Sequence, residues 1–139
     1  MYATKNPRTI VRLVLVDDNP EVLETVGHLL EPNFDVQAKL SNGSVALREI
    51  PRLEPDIAII DVSLGDISGF DVVRRLLHAG CRSKFIMMSV HEGPEMVRGA
   101  FVAGASGYVY KSRIAPDLID AIAIVAEDGI FSPAGISVD

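Results

Sequence analysis

The strongest constraint on the fold of this chain is a regular alternation between short apolar runs and longer segments of helical period. Runs rich in β-branched residues predict strands in five places, namely VRLVLV (11–16), FDVQAKL (34–40), IAIID (57–61), KFIMMS (84–89) and GYVY (107–110). Most of these runs are nearly continuous, as in parallel strands that are covered on both faces. The pattern therefore predicts an α/β domain in which βα units surround a parallel sheet.

Helix-start and helix-stop signals separate the predicted strands. Asn19 and Pro20 form a cap and a first-turn proline for the first helix. The second helix is predicted to stop at Pro51, because proline has no amide hydrogen to donate. The second, third, fourth and fifth helices are predicted to begin near Ser44, Ser68, Pro94 and Pro116, in that order.

The predicted elements occupy residues 11–128, which we interpret as a single domain. A chain of 139 residues with 48% hydrophobic residues is sufficient for one core. Residues 1–10 are then an N-terminal extension. Residues 129–139 lack a helical pattern and are interpreted as a C-terminal tail or as the start of a linker to an output domain that is absent from this chain.

Charge and cysteine content limit the setting in which the chain works. With 13 basic and 19 acidic residues, the net charge of -6 argues against a sequence-independent grip on nucleic acid or on an anionic membrane. Cys81 is the single cysteine, so no internal disulfide can form, which fits a reducing compartment. No run approaches the roughly 20 apolar residues of a membrane span. We expect a soluble, cytoplasmic protein that does not bind membranes.

Polar side chains follow the predicted strands at the points where those strands end. Asp17 and Asp18 follow the first strand, Asp61 ends the third, Ser89 ends the fourth and Lys111 follows the fifth. Because the carboxyl ends of parallel strands meet at one edge of an open sheet, we expect these side chains to form one acidic pocket. Clustered carboxylates favour a hard divalent cation, and Mg²⁺ accepts carboxylates together with phosphate oxygens.

Phosphoryl transfer to a carboxylate is the chemistry that this set of residues favours. With the carboxylate charge neutralised by a cation, one carboxylate can attack a phosphoryl group and form an acyl phosphate. Asp61 is the predicted nucleophile, because it lies last on the central strand, whereas Asp17 and Asp18 form an acidic pair suited to a metal. Each aspartate alone could equally be a helix cap or a solvated turn residue.

The sequence resembles the receiver domains of two-component response regulators, the CheY-like superfamily. The pieces that carry the resemblance are LVLVDD, IAIIDVSLGDISGFDVV, MMSV and GASGYVYK, and the resemblance as a whole spans residues 11–128. HEGPEMVRGAFVAGASGYVYK and the tail VAEDGIFSP are most similar to the NarL/FixJ (LuxR-type) subfamily. The resemblance implies a flavodoxin-like (βα)5 fold, a doubly wound parallel sheet of strand order 2-1-3-4-5.

The resemblance also implies a role for each residue of the pocket. Asp61 would be the phosphoacceptor, with Asp17 and Asp18 as the acidic pair. Asp18, Asp61 and the backbone carbonyl of Ser63 would be the direct Mg²⁺ ligands. Lys111 would contact the phosphoryl group, which makes it part of the catalytic set together with Asp61 and Ser89.

Two further roles concern the response to phosphorylation. Ser89 would supply the switch hydroxyl and Tyr108 the switch aromatic, with Tyr108 filling space that Ser89 vacates when it moves toward the phosphoryl group. Ser63 and His91 are candidates for modulating dephosphorylation, His91 because it lies two residues past Ser89, within reach of an attacking water.

The sequence departs from the common family pattern at two places near the pocket. Leu64 and Gly65 stand where many receivers have Met-Pro, which predicts a more flexible loop after Asp61. Ser112 stands where many have proline after the lysine, which argues against a cis peptide bond there. Neither change removes a charged or nucleophilic group.

The predicted function is a phosphorylation switch rather than an enzyme. A sensor histidine kinase or a phosphotransfer protein would be the donor, and the phosphorylated domain could form a homodimer. This chain alone is predicted not to bind DNA; DNA binding would come from a missing C-terminal helix-turn-helix domain that controls transcription. The alternatives are a stand-alone receiver acting through protein partners, a degenerate receiver, and an aspartate-nucleophile phosphatase of the haloacid dehalogenase type.

Overall fold

The computed structural model describes residues 10–138, and these form one α/β unit with a central parallel sheet. Of the predicted strands, the last three have the predicted bounds and the first two begin one residue later than predicted. The strands are β1 (Arg12–Val16), β2 (Asp35–Leu40), β3 (Ile57–Asp61), β4 (Lys84–Ser89) and β5 (Gly107–Tyr110). The N-terminal extension predicted for residues 1–10 lies, apart from Ile10, outside the described residues.

Within residues 10–138, five α-helices connect and follow the strands, and a short 3₁₀ turn, Lys111–Arg113, precedes the last of them. The first helix is capped by the Asn19 side chain, which accepts from the Glu21 backbone N–H, as predicted. The helices are α1 (Pro20–Leu30), α2 (Gly43–Leu53), α3 (Gly69–His78), α4 (Pro94–Ala103) and α5 (Ile114–Ala126).

Two predicted helix boundaries are wrong. Helix α2 does not stop at Pro51 but continues to Leu53, with Pro51 inside its last turn. Pro51 removes one i→i−4 hydrogen bond, and the helix nevertheless continues to where the Glu54 N–H donates to Ile50 O at 2.9 Å. Helix α5 begins at Ile114 rather than near Pro116, and Pro116 fits in its first turn because the N–H groups there have no partner within the helix.

The sheet has the strand order β2-β1-β3-β4-β5, and every neighbouring pair is parallel. This confirms the doubly wound, flavodoxin-like fold expected for the chain. Parallel pairing brings the carboxyl ends of β1, β3, β4 and β5 to the same edge, with Asp61 paired to Met88 and Ser89 to Tyr110. The order reverses between β1 and β3, which places a crevice where ligands bind in such sheets.

The core consists of two apolar layers, one on each face of the sheet. One layer joins β-strand residues to α2, α3 and α4, and the other joins them to α1 and α5. Residues of β3 are buried along its whole length, as its continuous apolar sequence predicts. Among the described helices, none is both long and apolar enough to cross a bilayer.

The tail makes contacts with the sheet that its sequence does not indicate. Phe131 pairs in parallel with Gly107 at the free edge of β5. Its carbonyl accepts from the Tyr108 N–H at 3.1 Å, and its own N–H donates to Ser106 O at 3.0 Å. Ile136 and Val138 then pack against the same layer as α4. A segment without helical period can thus still belong to the domain, because the edge of β5 offers it backbone partners.

Candidate functional site

The acidic pair lies where β1 ends, in two different environments. Asp17 is fully buried, and its Oδ1 accepts a hydrogen bond from the Asn19 N–H at 2.9 Å. The Asp17 N–H donates to Leu40 O, which extends the β1–β2 pairing past the last strand residue. Asp18 is exposed at the mouth of the pocket. Asp17 therefore has a fixed position, whereas Asp18 faces solvent and incoming ligands.

Asp61 ends β3 and is buried, with a relative exposure of 5%. Its Oδ1 accepts from the Ser63 N–H at 3.1 Å and its Oδ2 accepts from Lys111 Nζ at 3.0 Å. Gly69 at the start of α3 permits this arrangement, because a Cβ added there would lie 2.3 Å from the Asp61 carbonyl oxygen. Burial raises the pKa of Asp61 above its ordinary value, although the Ser63 N–H and the Lys111 ammonium oppose the shift.

Lys111 directly follows β5 and joins the two buried carboxylates. Its Nζ lies 2.8 Å from Asp17 Oδ2 and 3.0 Å from Asp61 Oδ2. Burial alone would lower the pKa of Lys111, but its contacts with the charged carboxylates of Asp17 and Asp61 raise it above its ordinary value. The lysine therefore carries a positive charge that offsets two buried negative charges.

The carboxylates fit a divalent cation. One oxygen from each of Asp17, Asp18 and Asp61 can be chosen so that all lie within 4.8 Å of one another. Asp17 Oδ2 is buried and lies 2.8 Å from Lys111 Nζ, which also contacts Asp61. A carboxylate oxygen has more than one lone pair, so it can accept from an ammonium and still bind a cation. Three hard oxygen donors beside a solvent-facing mouth suit Mg²⁺, with waters and phosphate oxygens completing its shell.

Ser89 and Tyr108 are connected through the backbone of His91. Ser89 Oγ accepts from the His91 N–H at 3.0 Å, and the Tyr108 hydroxyl donates to the His91 carbonyl at 2.9 Å. Ser89 and Tyr108 are both buried, and burial raises the pKa of the Tyr108 phenol. The sequence prediction has Tyr108 moving inward on phosphorylation, whereas in this structure its ring already lies fully inside.

Comparison with known proteins agrees with this geometry. Residues 13–123 match the family described as response regulator receiver domain. The chain belongs to that family. Asp61, Lys111 and the acidic pair thus lie together in a receiver domain.

Relatives of this receiver domain include transcriptional regulators. It is 36% identical over 127 residues to the uncharacterized transcriptional regulatory protein YvfU of Bacillus subtilis, covering 89% of this chain and 64% of that protein. It is 34% identical over 132 residues to the transcriptional regulatory protein UhpA of Escherichia coli, covering 93% and 65%. The chain thus spans less than two thirds of the length of these relatives.

A solved structure shows the same domain. A LuxR-family two-component response regulator from Aurantimonas sp. SI85-9A1 superposes with a TM-score of 0.87 at 30% identity, covering 92% of this chain and 93% of that one. The predicted similarity to LuxR-type receivers is therefore confirmed.

The structure does not bring every predicted site residue into the receiver's pocket. The Ser63 and His91 side chains are exposed, and the hydrogen bonds that hold both residues in place are made by their backbones. Their predicted effect on dephosphorylation stays a prediction. No cis peptide bond occurs within residues 10–138, in agreement with the presence of Ser112 where many receivers have proline.

Sequence reasoning missed a contact between two loops at the pocket. The Ser112 hydroxyl donates to the Glu92 carboxylate at 2.6 Å, which ties the turn after Lys111 to the loop after β4. The only sequence signal was that a serine replaces the common proline. Its partner lies 20 residues away, so no local pattern could identify it.

Proposed function

We propose that this receiver domain is the phosphoacceptor of a two-component system, phosphorylated on Asp61 in the presence of Mg²⁺. The observation that carries the proposal is the placement of the Asp61 carboxylate between the Lys111 ammonium and the Asp17–Asp18 pair. The donor would be the phosphohistidine of a sensor histidine kinase or of a phosphotransfer protein, and the setting would be the cytoplasm.

The chain's own residues supply orientation and charge balance. An Asp61 oxygen forms the new bond to phosphorus, while the bond from phosphorus to the donor nitrogen breaks and the imidazole keeps the electron pair. The Ser63 N–H orients the carboxylate, and Lys111 already faces the position where negative charge arrives. Bound Mg²⁺, held by Asp18, Asp61 and the Ser63 carbonyl beside Asp17, would neutralise charge on the carboxylates and the phosphoryl oxygens.

Readout of the phosphorylated state would pass through Ser89 and Tyr108. Both contact the His91 peptide, so a shift of the Ser89 hydroxyl toward the phosphoryl group would alter the loop that also holds the Tyr108 hydroxyl. The α4–β5 surface, on which the tail packs, would change with it. That surface is where a second copy of the domain could bind.

Mg²⁺-dependent gain of one phosphoryl group is the test of this function. We expect incubation with acetyl phosphate and Mg²⁺ to convert the protein to a singly phosphorylated form by intact-mass analysis, with none formed when the divalent cation is chelated. The bond should be labile to hydroxylamine, as an acyl phosphate is. Modification that is independent of Mg²⁺, or stable to hydroxylamine, would contradict the proposal.

Transcriptional output is the second part of the proposal, and it rests on the regulators that the chain resembles. The 139-residue chain, with a net charge of -6, should bind no DNA with sequence specificity. A version extended to the length of those relatives should bind selected genomic fragments, more tightly when phosphorylated and dimeric.

Fluorescence anisotropy at physiological salt, with both chain lengths and with Asp61→Asn in the longer one, separates these outcomes. Specific binding by the 139-residue chain would contradict the proposal that the receiver domain itself does not bind DNA. Equal affinity of the longer chain with and without phosphorylation would contradict the coupling, whereas no specific binding by the longer chain would favour a receiver that acts through protein partners.

A further inference from the structure

The loop between β3 and α3 carries the Ser63 carbonyl, and its base is closed by backbone contacts. Ser63 and Ser68 form an antiparallel bridge across the loop. The Gly69 N–H donates to Val62 O at 2.8 Å. The tip of the loop, Leu64 to Ile67, extends beyond this closure and takes a left-handed conformation at Gly65, with φ of 88°. Leu64 is buried in the apolar layer, whereas Gly65 and Asp66 are exposed, so neither the base nor the core contacts these two residues directly.

Asp66 attaches the tip to the start of α2. Its Oδ1 accepts from the Gly43 N–H at 2.9 Å and from its neighbour's N–H, that of Ile67, at 2.8 Å. Its Oδ2 accepts from the Ser44 N–H at 3.0 Å and from Ser44 Oγ at 2.9 Å. The Gly43 and Ser44 N–H groups hold the pKa of Asp66 far below its ordinary range, so the carboxylate stays ionised.

The contact fills the start of α2 rather than leaving it open to a ligand. The Asn42 side chain accepts from the Val45 N–H at 2.9 Å. Asp66 accepts from the N–H groups of Gly43 and Ser44, so the first three N–H groups of the helix all have partners. Close packing supports the same approach, because a Cβ added to Gly43 would lie 3.0 Å from Ile67 Cβ. The start of α2 and the loop tip are therefore in direct contact, through both hydrogen bonds and packing.

The attached tip lies beside the acidic pair. A Cβ added to Gly65 would lie 3.7 Å from Asp18 Oδ2, so the residue before Asp66 faces the exposed carboxylate of the pocket. The sequence predicts a more flexible loop here, because Leu64-Gly65 replaces Met-Pro. In the structure a charged side chain joins this tip to the start of α2 through three hydrogen bonds.

We propose that Asp66 is a positioning residue for the metal site: by holding the loop tip against α2, it fixes the Ser63 carbonyl and the Gly65 backbone relative to Asp18 and Asp61. The inference rests on the proposed function, since it concerns the Mg²⁺ that phosphorylation requires. It adds a residue on the far side of the loop, with no contact to the cation, that determines how well the pocket is organised before the cation binds.

Metal affinity of Asp66 variants, measured by NMR titration of the purified chain with MgCl₂, tests the inference. Asp66→Ala should raise the Kd for Mg²⁺ by about tenfold, as loss of an outer contact to a metal site commonly does. Asp66→Asn keeps one acceptor oxygen, so its Kd for Mg²⁺ should lie between those of the wild type and Asp66→Ala. It replaces Asp66→Ala in the test if the alanine variant does not fold. In the metal-free protein, NMR relaxation should show increased motion at Ser63, Leu64 and Gly65 in both variants.

Asn42→Ala is the matched control, because it removes a different hydrogen bond from the start of α2 and leaves the β3–α3 loop untouched. It should lower the melting temperature, as the Asp66 variants do, with an unchanged Kd for Mg²⁺. If Asn42→Ala raises the Kd as much as Asp66→Ala, Asp66 acts only through helix stability and the inference is wrong. Unchanged Kd in both Asp66 variants overturns the inference alone, whereas a wild-type chain that binds no Mg²⁺ overturns the proposed function with it.

Discussion

Asp61→Asn should lower the rate of phosphorylation by acetyl phosphate by more than about a thousandfold, at every Mg²⁺ concentration. The amide is close in shape to the carboxylate, and its oxygen can still accept from the Ser63 N–H. It is a poor nucleophile, however, and it brings no negative charge to the pocket. Intact-mass analysis over a Mg²⁺ series measures the effect.

The matched controls are Asp17→Asn and Asp18→Asn, which each remove a carboxylate from the same cluster. These variants should need about tenfold more Mg²⁺ but should still be phosphorylated when enough is supplied. The contrast separates the nucleophile from the metal platform. An Asp61→Asn protein that gains a hydroxylamine-labile phosphoryl group would show that another carboxylate is the acceptor.

Folding provides an internal check on the same variant. Burial raises the pKa of Asp61, so the folded protein disfavours the ionised carboxylate. The protonated group stabilises the fold below its unfolded pKa, and this stabilisation is lost as the pH rises through the folded pKa. At neutral pH the neutral amide avoids that loss. The metal-free Asp61→Asn protein should therefore melt no lower than the wild type, so loss of phosphorylation cannot be attributed to unfolding.

The positions of the pocket residues were predictable from sequence because each one is defined by the end of a strand. Asp17, Asp61 and Lys111 all follow apolar runs, and parallel pairing brings such ends together regardless of the connecting segments. The strand order itself came from the family resemblance. Apolar runs show that strands exist, but they do not show which strands are neighbours.

Features that sequence reasoning missed depend on partners far along the chain. Asp66 binds the start of a helix 22 and 23 residues earlier, and nothing near Asp66 indicates this. Phe131 joins the edge of β5 through backbone atoms, which any residue offers. The prediction at Pro51 was wrong for a different reason: the effect of a proline depends on its distance from the helix end, and that end was itself unknown.

Lys111→Met should destabilise the metal-free protein by on the order of 3 kcal/mol, because it leaves two buried carboxylates without their counter-charge. Methionine retains most of the apolar stem of the lysine. Removing the ammonium raises the pKa of Asp61 further, so the stability of the variant should fall as the pH rises through that pKa. Thermal melts across a pH series, with and without Mg²⁺, measure both effects.

The same substitution should tighten Mg²⁺ binding by about tenfold, because the ammonium and the cation compete for the same carboxylate oxygens. Saturating Mg²⁺ should then restore most of the lost stability, since ligand that binds only the folded state raises its stability. Lys84→Met is the matched control: Lys84 pairs with Asp128 at the other end of β4, so its loss should leave Mg²⁺ affinity unchanged. Weaker Mg²⁺ binding by Lys111→Met would mean that the lysine helps to assemble the metal site, and competition between the ammonium and the cation would then be the wrong description of the pocket.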